Sequence, residues 1–438
     1  MKMQILDWSS LDAGAQQAAL ARPAVEEREQ TAAQVRAVIA EVRARGDDAL
    51  RELTRRFDAV ELGALRVSDA EMAAAGQQLS LQQRTAIERA ISNVRAFHAA
   101  QRTADLRVET SAGVVCERLV RPIRAVGLYA PAGTAPLPSA VIMSAVPAAV
   151  AGCSVRILCT PPARDGSVNA ATLYAAQACG VDAVFRVGGA QAIAAMAFGT
   201  QSIPAVDKIF GPGSRWVTAA KQLVAGDPAG AAFDLPAGPS EVLVIADDSA
   251  RADFVAADLL AQAEHDVLSQ AVLVTTSQEL AVAVAAQVQL QMRQLSRQQI
   301  LAESMARSRI IVVADLATAL TVSNRYAPEH LILEVREPRR ALAAVENAGS
   351  VFLGSWTPEP MGDYCSGTNH VLPTYGYARA YSGLSLVDFT KRITVQEISP
   401  AGLADLGPTA VTLAGLEGLD AHAAAVSIRL QSMPGGAP

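Results

Sequence analysis

The sequence predicts an α/β protein that contains two α/β domains, each built on a mostly parallel sheet, and three observations lead to this fold class. Runs of apolar residues spaced three or four apart indicate helices, and after Cys116 they alternate with short β-branched runs. Such alternation is typical of βα units on a parallel sheet. The length of 438 residues exceeds what one core supports and favours roughly three domains, and a Pro/Gly cluster at residues 236–239 marks a boundary.

Composition and charge exclude several classes of protein. The 37 Lys and Arg residues are balanced by 43 Asp and Glu residues, and the net charge of −6 leaves no basic stripe for nucleic acid. The most apolar window, residues 140–152, is shorter than the roughly 18 residues that cross a bilayer, so it predicts a buried helix and no membrane span. The N-terminus reaches Asp7 before an apolar run forms, which predicts a cytoplasmic protein without a secretory signal.

The cysteines show neither an even count nor metal-type spacing, so they are predicted to be reduced core residues. They are Cys116, Cys153, Cys159, Cys179 and Cys365.

The segment that precedes the alternating region is predicted to be helical. From Thr31 to about Arg102, apolar residues recur three or four positions apart. Gly46 is predicted to end the first long helix as a C-cap residue. Ser68 followed by Glu71 forms a capping box, which predicts the start of another helix.

The two blocks after this segment give the order of strands and helices. Three strands are predicted in the first block, at residues 154–159, 183–187 and 207–210. Five strands are predicted in the second block, at residues 241–246, 271–275, 310–313, 331–335 and 350–353. Helices are predicted between them at residues 253–265, 278–292, 316–325 and 338–347.

The C-terminal piece is predicted to lack a core of its own and to lean on another surface. Short helices are expected there, broken by Pro400, Gly402, Gly407 and Pro408. The final residues, 433–438, are expected to fray.

Histidines that lie beside carboxylates or amides are the first candidates for chemistry. Gln262 and His265 are three apart on a predicted helix, so both side chains can reach one metal ion, although a polar helix surface also explains the pair. Glu329 and His330 precede a buried strand and are the residue types most easily tuned for proton transfer, with a solvated loop pair as the alternative. Residues 361–370 are predicted to form a functional loop.

These candidates combine into one set. Gln262, His265, Asp363 and His422 supply the mixed nitrogen and oxygen ligands that suit zinc. Glu417 lies near His422 in the C-terminal piece, where a solvated face is the default explanation.

No GxGxxG sequence follows a strand and no P-loop is present, so these motifs do not identify a cofactor. Two glycine-rich turns, at residues 188–191 and 211–214, each lie between a predicted strand and a helix. Their backbone N–H groups can receive an anion such as a pyrophosphate, and a simple tight turn is the alternative.

Seven motifs, taken in order, make the sequence similar to one family. They are Gly127-Leu128-Tyr129, Thr134-Ala135-Pro136-Leu137-Pro138-Ser139, Val187-Gly188-Gly189-Ala190-Gln191-Ala192, Pro236-Ala237-Gly238-Pro239-Ser240-Glu241, Gln262-Ala263-Glu264-His265, Ala327-Pro328-Glu329-His330 and Ser366-Gly367-Thr368-Asn369-His370. Over nearly its whole length the chain resembles the histidinol dehydrogenase family. The resemblance implies a zinc-dependent, four-electron oxidation of L-histidinol through L-histidinal to L-histidine with two NAD, the last step of histidine biosynthesis.

The resemblance also implies a role for each candidate. Zinc, one ion per subunit, would be held by Gln262, His265, Asp363 and His422, which also contact the substrate. His330 would be the base for the first oxidation and Glu329 would activate the water for the second. Further contacts would come from two groups of residues. The substrate pocket would include Ser240, His370 and Glu417, and NAD would be held by Tyr129, Gln191 and Ser214.

For the architecture, the resemblance implies two Rossmann-like α/β domains that form a cleft, plus small N-terminal and C-terminal helical segments. The first α/β domain, with the metal and catalytic residues, is expected at 30–129 and 238–380, and the NAD-side domain at 130–237. Residues 1–29 would be the N-terminal helical segment and residues 381–438 a segment swapped in a homodimer. Glu417 and His422 would then act in trans.

The sequence departs from the usual family pattern at two positions on the cofactor side. Ser214 stands where the family commonly has Asn, and Ala132 where it has glycine, which predicts weaker NAD contact and a reshaped turn. Three other functions are consistent with the residues. They are a related zinc- and NAD-dependent dehydrogenase for another polar alcohol, a metallohydrolase with Glu329 as base, and a binding protein without activity.

Overall fold

The computed structural model describes residues 3–22, 28–132, 136–236 and 238–433. The chain divides into two compact units. Unit 1 takes in Met1–Gln101 and Ile123–Phe389, and unit 2 takes in Arg102–Pro122 and Thr390–Pro438. Within the described ranges, no helix has both the length and the apolar character needed to cross a membrane.

The strands fall into three sheets. In chain order they are β1 (Gln4–Asp7), β2 (Leu106–Ser111), β3 (Val114–Pro122), β4 (Ala125–Tyr129), β5 (Val155–Cys159), β6 (Ala183–Phe185), β7 (Lys208–Phe210), β8 (Ala232–Phe233), β9 (Glu241–Ala246), β10 (Gln270–Thr275), β11 (Arg309–Val312), β12 (His330–Glu334), β13 (Ser350–Leu353) and β14 (Thr390–Ile398).

The α-helices connect and cover these strands. In chain order they are α1 (Ala13–Ala19), α2 (Arg28–Arg45), α3 (Asp47–Asp58), α4 (Asp69–Ala74), α5 (Leu81–Ala99), α6 (Pro138–Ala151), α7 (Ala170–Ala178), α8 (Gly189–Phe198), α9 (Arg215–Ala225), α10 (Ala252–Ala263), α11 (Gln278–Met292), α12 (Gln298–Arg307), α13 (Leu316–Tyr326), α14 (Pro338–Leu342), α15 (Glu359–Tyr364), α16 (Pro400–Leu416) and α17 (Asp420–Gln431).

Unit 1 contains two parallel sheets, which confirms the α/β fold class. The six-stranded sheet has the order β1-β11-β10-β9-β12-β13 and the five-stranded sheet has the order β6-β5-β4-β7-β8. All pairings in both sheets are parallel. The central strand β9 is buried along its whole length, as expected for a parallel strand covered by helices on both faces.

Local signals in the sequence predicted many elements correctly. The second-block strands and helices lie within a residue or two of their predicted positions, except that α14 ends at Leu342. The capping box of Ser68 and Glu71 begins α4, and Gly46, with a φ of 56°, follows the end of α2. Residues 140–152 form most of the buried helix α6 and its Gly152 cap. The described cysteines are all free, and three of them are buried.

The predicted domain boundaries differ from the structure at the N-terminal end. Residues 1–29 are predicted to be helical, and α1 does lie there, but β1 precedes it and pairs with β11 at the edge of the six-stranded sheet. A four-residue strand whose partner lies roughly 300 residues away has no local signal that reveals the pairing.

Residues 30–129 were assigned to the domain with the metal and catalytic residues, and the structure places them elsewhere. Strand β4 is the middle of the five-stranded sheet, and helices α2 and α3 share a core with that sheet. Val35 and Leu50 pack in this core with Ile157 and Ile193. A helical segment buries its apolar face on whichever sheet is uncovered, and its sequence does not say which sheet that is.

Unit 2 is built on an antiparallel sheet with the order β14-β3-β2, so residues 106–122 belong with the C-terminal piece. The prediction of short, broken helices in this piece is wrong. The structure has two longer helices, α16 and α17, and α16 continues through Pro408. The glycines serve close packing, since a Cβ on Gly402 would lie 2.7 Å from the Gly113 carbonyl oxygen and one on Gly407 would lie 3.2 Å from Leu430. Residues 434–438 of the predicted frayed end lie outside the described residues.

Two acidic side chains are buried beside each other near the end of β12. Asp258 on α10 and Glu334 on β12 are 6% and 3% exposed, and the Ser355 hydroxyl donates a 2.8 Å hydrogen bond to Glu334. Burial, with a smaller contribution from Glu334, raises the pKa of Asp258 to about 7. The fold therefore favours the neutral form of Asp258.

We expect Asp258→Asn to stabilise the protein at pH 8 and to have little effect near pH 4. The folded pKa of about 7 lies above the model-peptide value of 3.8, so the wild type loses stability as pH rises through this range. The gain at pH 8 is expected to be up to about 4 kcal/mol. Urea unfolding at both pH values measures it, with the exposed Asp248→Asn as control. An equal effect of Asp258→Asn at the two pH values would contradict the prediction.

Candidate functional site

A group of polar side chains gathers at the amino ends of strands β9 and β12. In a parallel sheet the covering helices run opposite to the strands, so the carboxyl end of α10 lies near this same edge. The register pairs His330 with Val242, which places Glu329 and His330 beside the start of β9. The predicted position of Glu329 and His330 at a strand entry is therefore confirmed. The residues in this group are Ser240, Glu241, Gln262, His265, Glu329, His330, Glu359, Asp363 and His370.

Glu329 and His330 are both fixed by the backbone of Glu241. The Glu241 N–H donates a 2.8 Å hydrogen bond to Oε2 of Glu329, and the Glu241 carbonyl oxygen lies 3.1 Å from Nδ1 of His330. Nδ1 must carry the proton to donate to a carbonyl, so the neutral ring keeps its lone pair on Nε2. This Nε2 has no hydrogen-bond partner among the described residues and lies 3.8 Å from both Glu359 and Asp363.

Burial sets the protonation of this pair. Glu329 and His330 are 5% and 3% exposed. Burial raises the pKa of Glu329 well above its ordinary value, and the carboxylates of Glu241, Asp363 and Glu359 raise it further. Burial lowers the pKa of His330 to about 4, against the opposing effect of Asp363. His330 is therefore a neutral imidazole at physiological pH, able to accept a proton at Nε2.

Three side chains converge as a candidate cation site. Nε2 of His265 lies 4.0 Å from Oδ2 of Asp363, and ligand atoms of His265, Glu359 and Asp363 all lie within 4.8 Å of one another. Burial and the neighbouring Asp363 raise the pKa of Glu359. A divalent cation here would relieve the repulsion between the two carboxylates.

Gln262 supplies an independent sign of a missing partner. It lies on α10, its side chain is fully buried, and neither its amide oxygen nor its amide nitrogen is hydrogen-bonded within the described part of the chain. A buried amide without partners is costly, and an amide oxygen is a suitable ligand for a divalent ion. The residues present therefore fit a metal ion of the zinc type.

The segment 361–370 differs from the predicted loop. Residues 361–364 form the end of α15, a short helix with Pro360 in its first turn that places Glu359 and Asp363 one turn apart. The rest has no regular structure and is fixed to unit 1 by Asn93, whose amide donates a 2.8 Å hydrogen bond to Cys365. Nδ1 of His370 lies 2.9 Å from the Asp363 carbonyl oxygen.

Sequence reasoning missed two members of this group. Glu359 is four residues before Asp363 on a helix, and this spacing is the signal that could have found it. Glu241 was interpreted only as the first residue of a strand, although it is charged and 2% exposed.

A second group of predicted residues lies at the carboxyl edge of the five-stranded sheet. Tyr129 ends β4, Gln191 lies in the first turn of α8, and Ser214 precedes α9 as its N-cap. The strand order reverses between β4 and β7, and ligands of open α/β sheets bind at such a switch point. The buried Tyr129 hydroxyl accepts a 3.0 Å hydrogen bond from the Gly189 N–H.

The turn after β7 packs closely against the end of β4. Gly211 has a φ of 117°, and a Cβ there would lie 2.1 Å from the Tyr129 carbonyl oxygen, so glycine is required. Ser214 is exposed, and its hydroxyl makes no cap hydrogen bond. Ala132 does not have a positive φ, so its backbone does not need the glycine that the family commonly has there.

The remaining predicted residues belong to unit 2. Glu417 is the C-cap of α16, His422 lies in the first turn of α17, and both are exposed. Of the motifs that carried the resemblance, Thr134, Ala135 and Ala237 lie outside the described residues.

Comparison with known proteins agrees with the resemblance. The family model described as histidinol dehydrogenase matches residues 21–430. A histidinol dehydrogenase of Xanthomonas euvesicatoria pv. vesicatoria is 57% identical over 98% of this chain and 99% of its own length. One from Vibrio vulnificus is 53% identical with the same coverage. The crystal structure of histidinol dehydrogenase from Elizabethkingia anophelis superposes with a TM-score of 0.93 at 44% identity, covering 98% of each chain.

We expect Asp363→Asn and His265→Ala each to weaken zinc binding by at least about tenfold, because each removes a charged or strongly coordinating ligand. Calorimetric titration of chelator-treated protein with zinc measures the affinity, and the zinc-induced rise in melting temperature provides a second readout. Asp253→Asn, which changes an exposed carboxylate at the opposite end of α10, serves as the control. Unchanged zinc affinity in both ligand variants would exclude this cation site.

Proposed function

The chain belongs to the histidinol dehydrogenase family, and from this premise we propose which of its residues carry out the reaction. The protein is an NAD-dependent oxidoreductase of histidine biosynthesis. It oxidises L-histidinol to L-histidinal and L-histidinal to L-histidine, a four-electron oxidation that uses two NAD. This identity favours histidinol over another polar alcohol and over hydrolysis.

His330 is the base of the first oxidation. Its Nδ1 is held by the Glu241 carbonyl, which leaves Nε2 as the acceptor for the proton of the substrate hydroxyl. This arrangement of His330 is the observation that carries the proposal. As the proton moves to Nε2, the alcohol carbon can release a hydride, for which NAD would be the acceptor. The imidazolium that forms is stabilised by Asp363, 3.8 Å from Nε2.

Glu329 acts in the second oxidation. One of its oxygens accepts the Glu241 N–H bond, and in its ionised form the carboxylate takes a proton from the water that adds to the aldehyde carbon. The hydrate then has a hydroxyl and a hydrogen on the same carbon. Once His330 has released the first proton to solvent, its Nε2 can accept the second hydroxyl proton as the carbon loses a second hydride, for which a second NAD would be the acceptor. Burial of Glu329 supports this role, because a carboxyl group of raised pKa is a stronger base once ionised.

Zinc would be held by Gln262, His265, Asp363 and His422. The unpartnered amide of Gln262 and the approach of His265 to Asp363 support the first three ligands. The bound ion would act as a Lewis acid that orients the amino alcohol. Glu359, beside Asp363, would add negative charge to the same place when the bound ion favours its carboxylate form.

Substrate and cofactor are assigned to the two edges described above. Ser240, His370 and Glu417 would line the substrate pocket, with Glu417 accepting a hydrogen bond from the substrate imidazole. Tyr129, Gln191 and Ser214 would hold NAD at the switch point of the five-stranded sheet.

We also propose a homodimer in which Glu417 and His422 complete the partner's site. The large apolar side chains exposed on unit 2 support an interface, because surfaces of this kind mark protein contacts. They include Leu106, Val108, Ile393, Leu413, Leu416 and Ile428. The free cysteines support a reducing compartment, the cytoplasm, as the site of action.

Purified enzyme with L-histidinol is expected to form two NADH per substrate, measured by absorbance at 340 nm.

His330→Asn should lower kcat by about 100-fold or more, since a general base contributes at least that factor. Glu329→Gln keeps the shape and the Glu241 hydrogen bond, yet it should slow histidinal oxidation by a similar factor. The exposed Glu346→Gln is the control. Wild-type rates in both site variants would overturn the assignment, and one NADH per substrate would indicate a simple alcohol dehydrogenase.

Mixing two inactive variants tests the shared site. After joint unfolding and refolding of equal amounts of Glu329→Gln and His422→Ala, half of the dimers should be mixed, and each should hold one intact site. About a quarter of wild-type activity should therefore return. Sites built within one subunit would each keep one defect, and no activity would return.

A further inference from the structure

A buried ion pair between Arg22 and Glu241 lies next to Glu329 and His330. Nε of Arg22 is 2.6 Å from Oε2 of Glu241, and one of its terminal nitrogens is 2.7 Å from Oε1, so the contact is bidentate. The side chains are 13% and 2% exposed. The guanidinium also lies 4.0 Å above the ring of Tyr326. Planar, bidentate and stacked contacts fix an arginine in one geometry.

Glu241 connects this pair to the proposed catalytic residues through its backbone. Its N–H holds Glu329 and its carbonyl holds Nδ1 of His330, so both side chains take their positions from one peptide segment. The Glu241 side chain is the anchor of that segment, because Tyr326 also approaches it, with its hydroxyl 3.3 Å from Oε2.

Arg22 also holds the turn that leads into Glu329. A terminal nitrogen donates hydrogen bonds to the carbonyl oxygens of Tyr326, at 2.8 Å, and Ala327, at 3.2 Å. Ala327 has a φ of 55°, a left-handed conformation that is unfavourable for a non-glycine residue. Such a turn persists only where neighbouring contacts hold it, and Arg22 provides two of them.

The ion pair is surrounded by polar groups that have no other evident use. The Tyr326 hydroxyl donates a 2.7 Å hydrogen bond to Gln270, whose amide donates to the carbonyl oxygens of Ala21 and Arg307 at 3.2 Å. Gln270 thereby also ties down the backbone beside Arg22. Two apolar side chains could fill the place of a buried ion pair at no loss of stability, so stability alone does not explain it.

We propose that Arg22 is a positioning residue for the oxidation chemistry, and that it holds Glu329 and His330 in place through Glu241 and the left-handed turn at Ala327. This inference rests on the proposed roles of Glu329 and His330. The described hydrogen bonds of Arg22 reach Glu241, Tyr326 and Ala327, so its effect on Glu329 and His330 is indirect. The distinguishing consequence is an effect on kcat that depends on an intact Glu329.

The test is the steady-state kinetics of Arg22→Gln with L-histidinol, at a temperature where circular dichroism shows the variant folded. A displacement of about 1 Å in catalytic groups costs up to 100-fold, so kcat should fall about 10- to 100-fold while KM changes less than about threefold. Arg22→Lys, which keeps the charge but lacks the bidentate fork, should recover part of the loss. Glu241→Gln is measured as well and replaces Arg22→Gln if that variant does not fold.

A double-mutant cycle separates positioning from a general structural role. Glu329→Asp shortens and displaces the carboxyl group but keeps a base, so residual activity can be measured. In this background the step that uses residue 329 limits kcat and its carboxyl group is already displaced, so Arg22→Gln should lower kcat by less than about threefold. An equal fold-loss in both backgrounds, or a change confined to KM, would overturn the inference.

Control variants show which proposal has failed if the outcome differs. Arg43→Gln removes another arginine that pairs with a carboxylate, Asp227 at 2.6 Å, and lies over an aromatic ring, Phe198 at 4.3 Å, far from β9 in sequence. It should leave kcat unchanged. Wild-type kcat in Glu329→Gln and His330→Asn would refute the proposed function. Loss in those variants with wild-type kcat in Arg22→Gln would refute only the positioning role.

Discussion

The crowding of carboxyl groups around one imidazole is the constraint on which the candidate active site depends. Glu329, Glu359 and Asp363 each lie 3.6–3.8 Å from a ring nitrogen of His330 in a largely buried region, and the Glu241 carboxylate is close enough to Glu329 to raise its pKa. Like charges in such a place repel strongly, so each carboxyl group must be paired with a cation, hydrogen-bonded or protonated. Glu241 forms an ion pair with Arg22. Glu329 accepts a hydrogen bond from a backbone N–H and has a raised pKa. Glu359 and Asp363 can share a cation with His265.

This constraint also explains why the group lies at the amino ends of the strands. There the peptide N–H of Glu241 points out of the sheet and can hold a carboxyl group, and the carboxyl end of α10 brings Gln262 and His265 to the same edge. The five-stranded sheet uses its opposite, carboxyl edge, where glycine turns precede helix N-termini. The amino edge of the six-stranded sheet therefore holds acid–base side chains. The carboxyl edge of the five-stranded sheet presents helix N-termini, which favour anions.

Sequence periodicity predicted most elements of the second block because their signals are local, although α12 and α15 were not predicted. Strands such as β9 are short apolar runs, and helices such as α11 have a regular apolar spacing, so neither needs information from elsewhere in the chain. Long-range pairings were not accessible in this way. The edge strand β1, the sheet that joins residues 106–122 to β14, and the placement of α2 on the five-stranded sheet all depend on distant partners.

The candidate site shows the same division. Gln262, His265, Glu329 and His330 could be selected by residue type and spacing, and the structure brings them to one edge. Arg22 could not be selected, since a single arginine in an N-terminal segment has no pattern, and its importance comes from contacts with residues more than 200 positions away. Whether Glu417 and His422 join this group stays a prediction from the resemblance.

The sheet of unit 2 has a consequence for how the chain is made. Strand β3 pairs with β14, which is synthesised about 270 residues later, and at roughly 5–20 residues per second this interval lasts roughly 15–50 s. During that time the nascent chain has a hairpin with an open edge, which is a site for aggregation. The charged residues Glu117, Arg118 and Arg121 on β3 discourage pairing with other chains. These charges therefore protect the hairpin of β2 and β3 until β14 emerges from the ribosome.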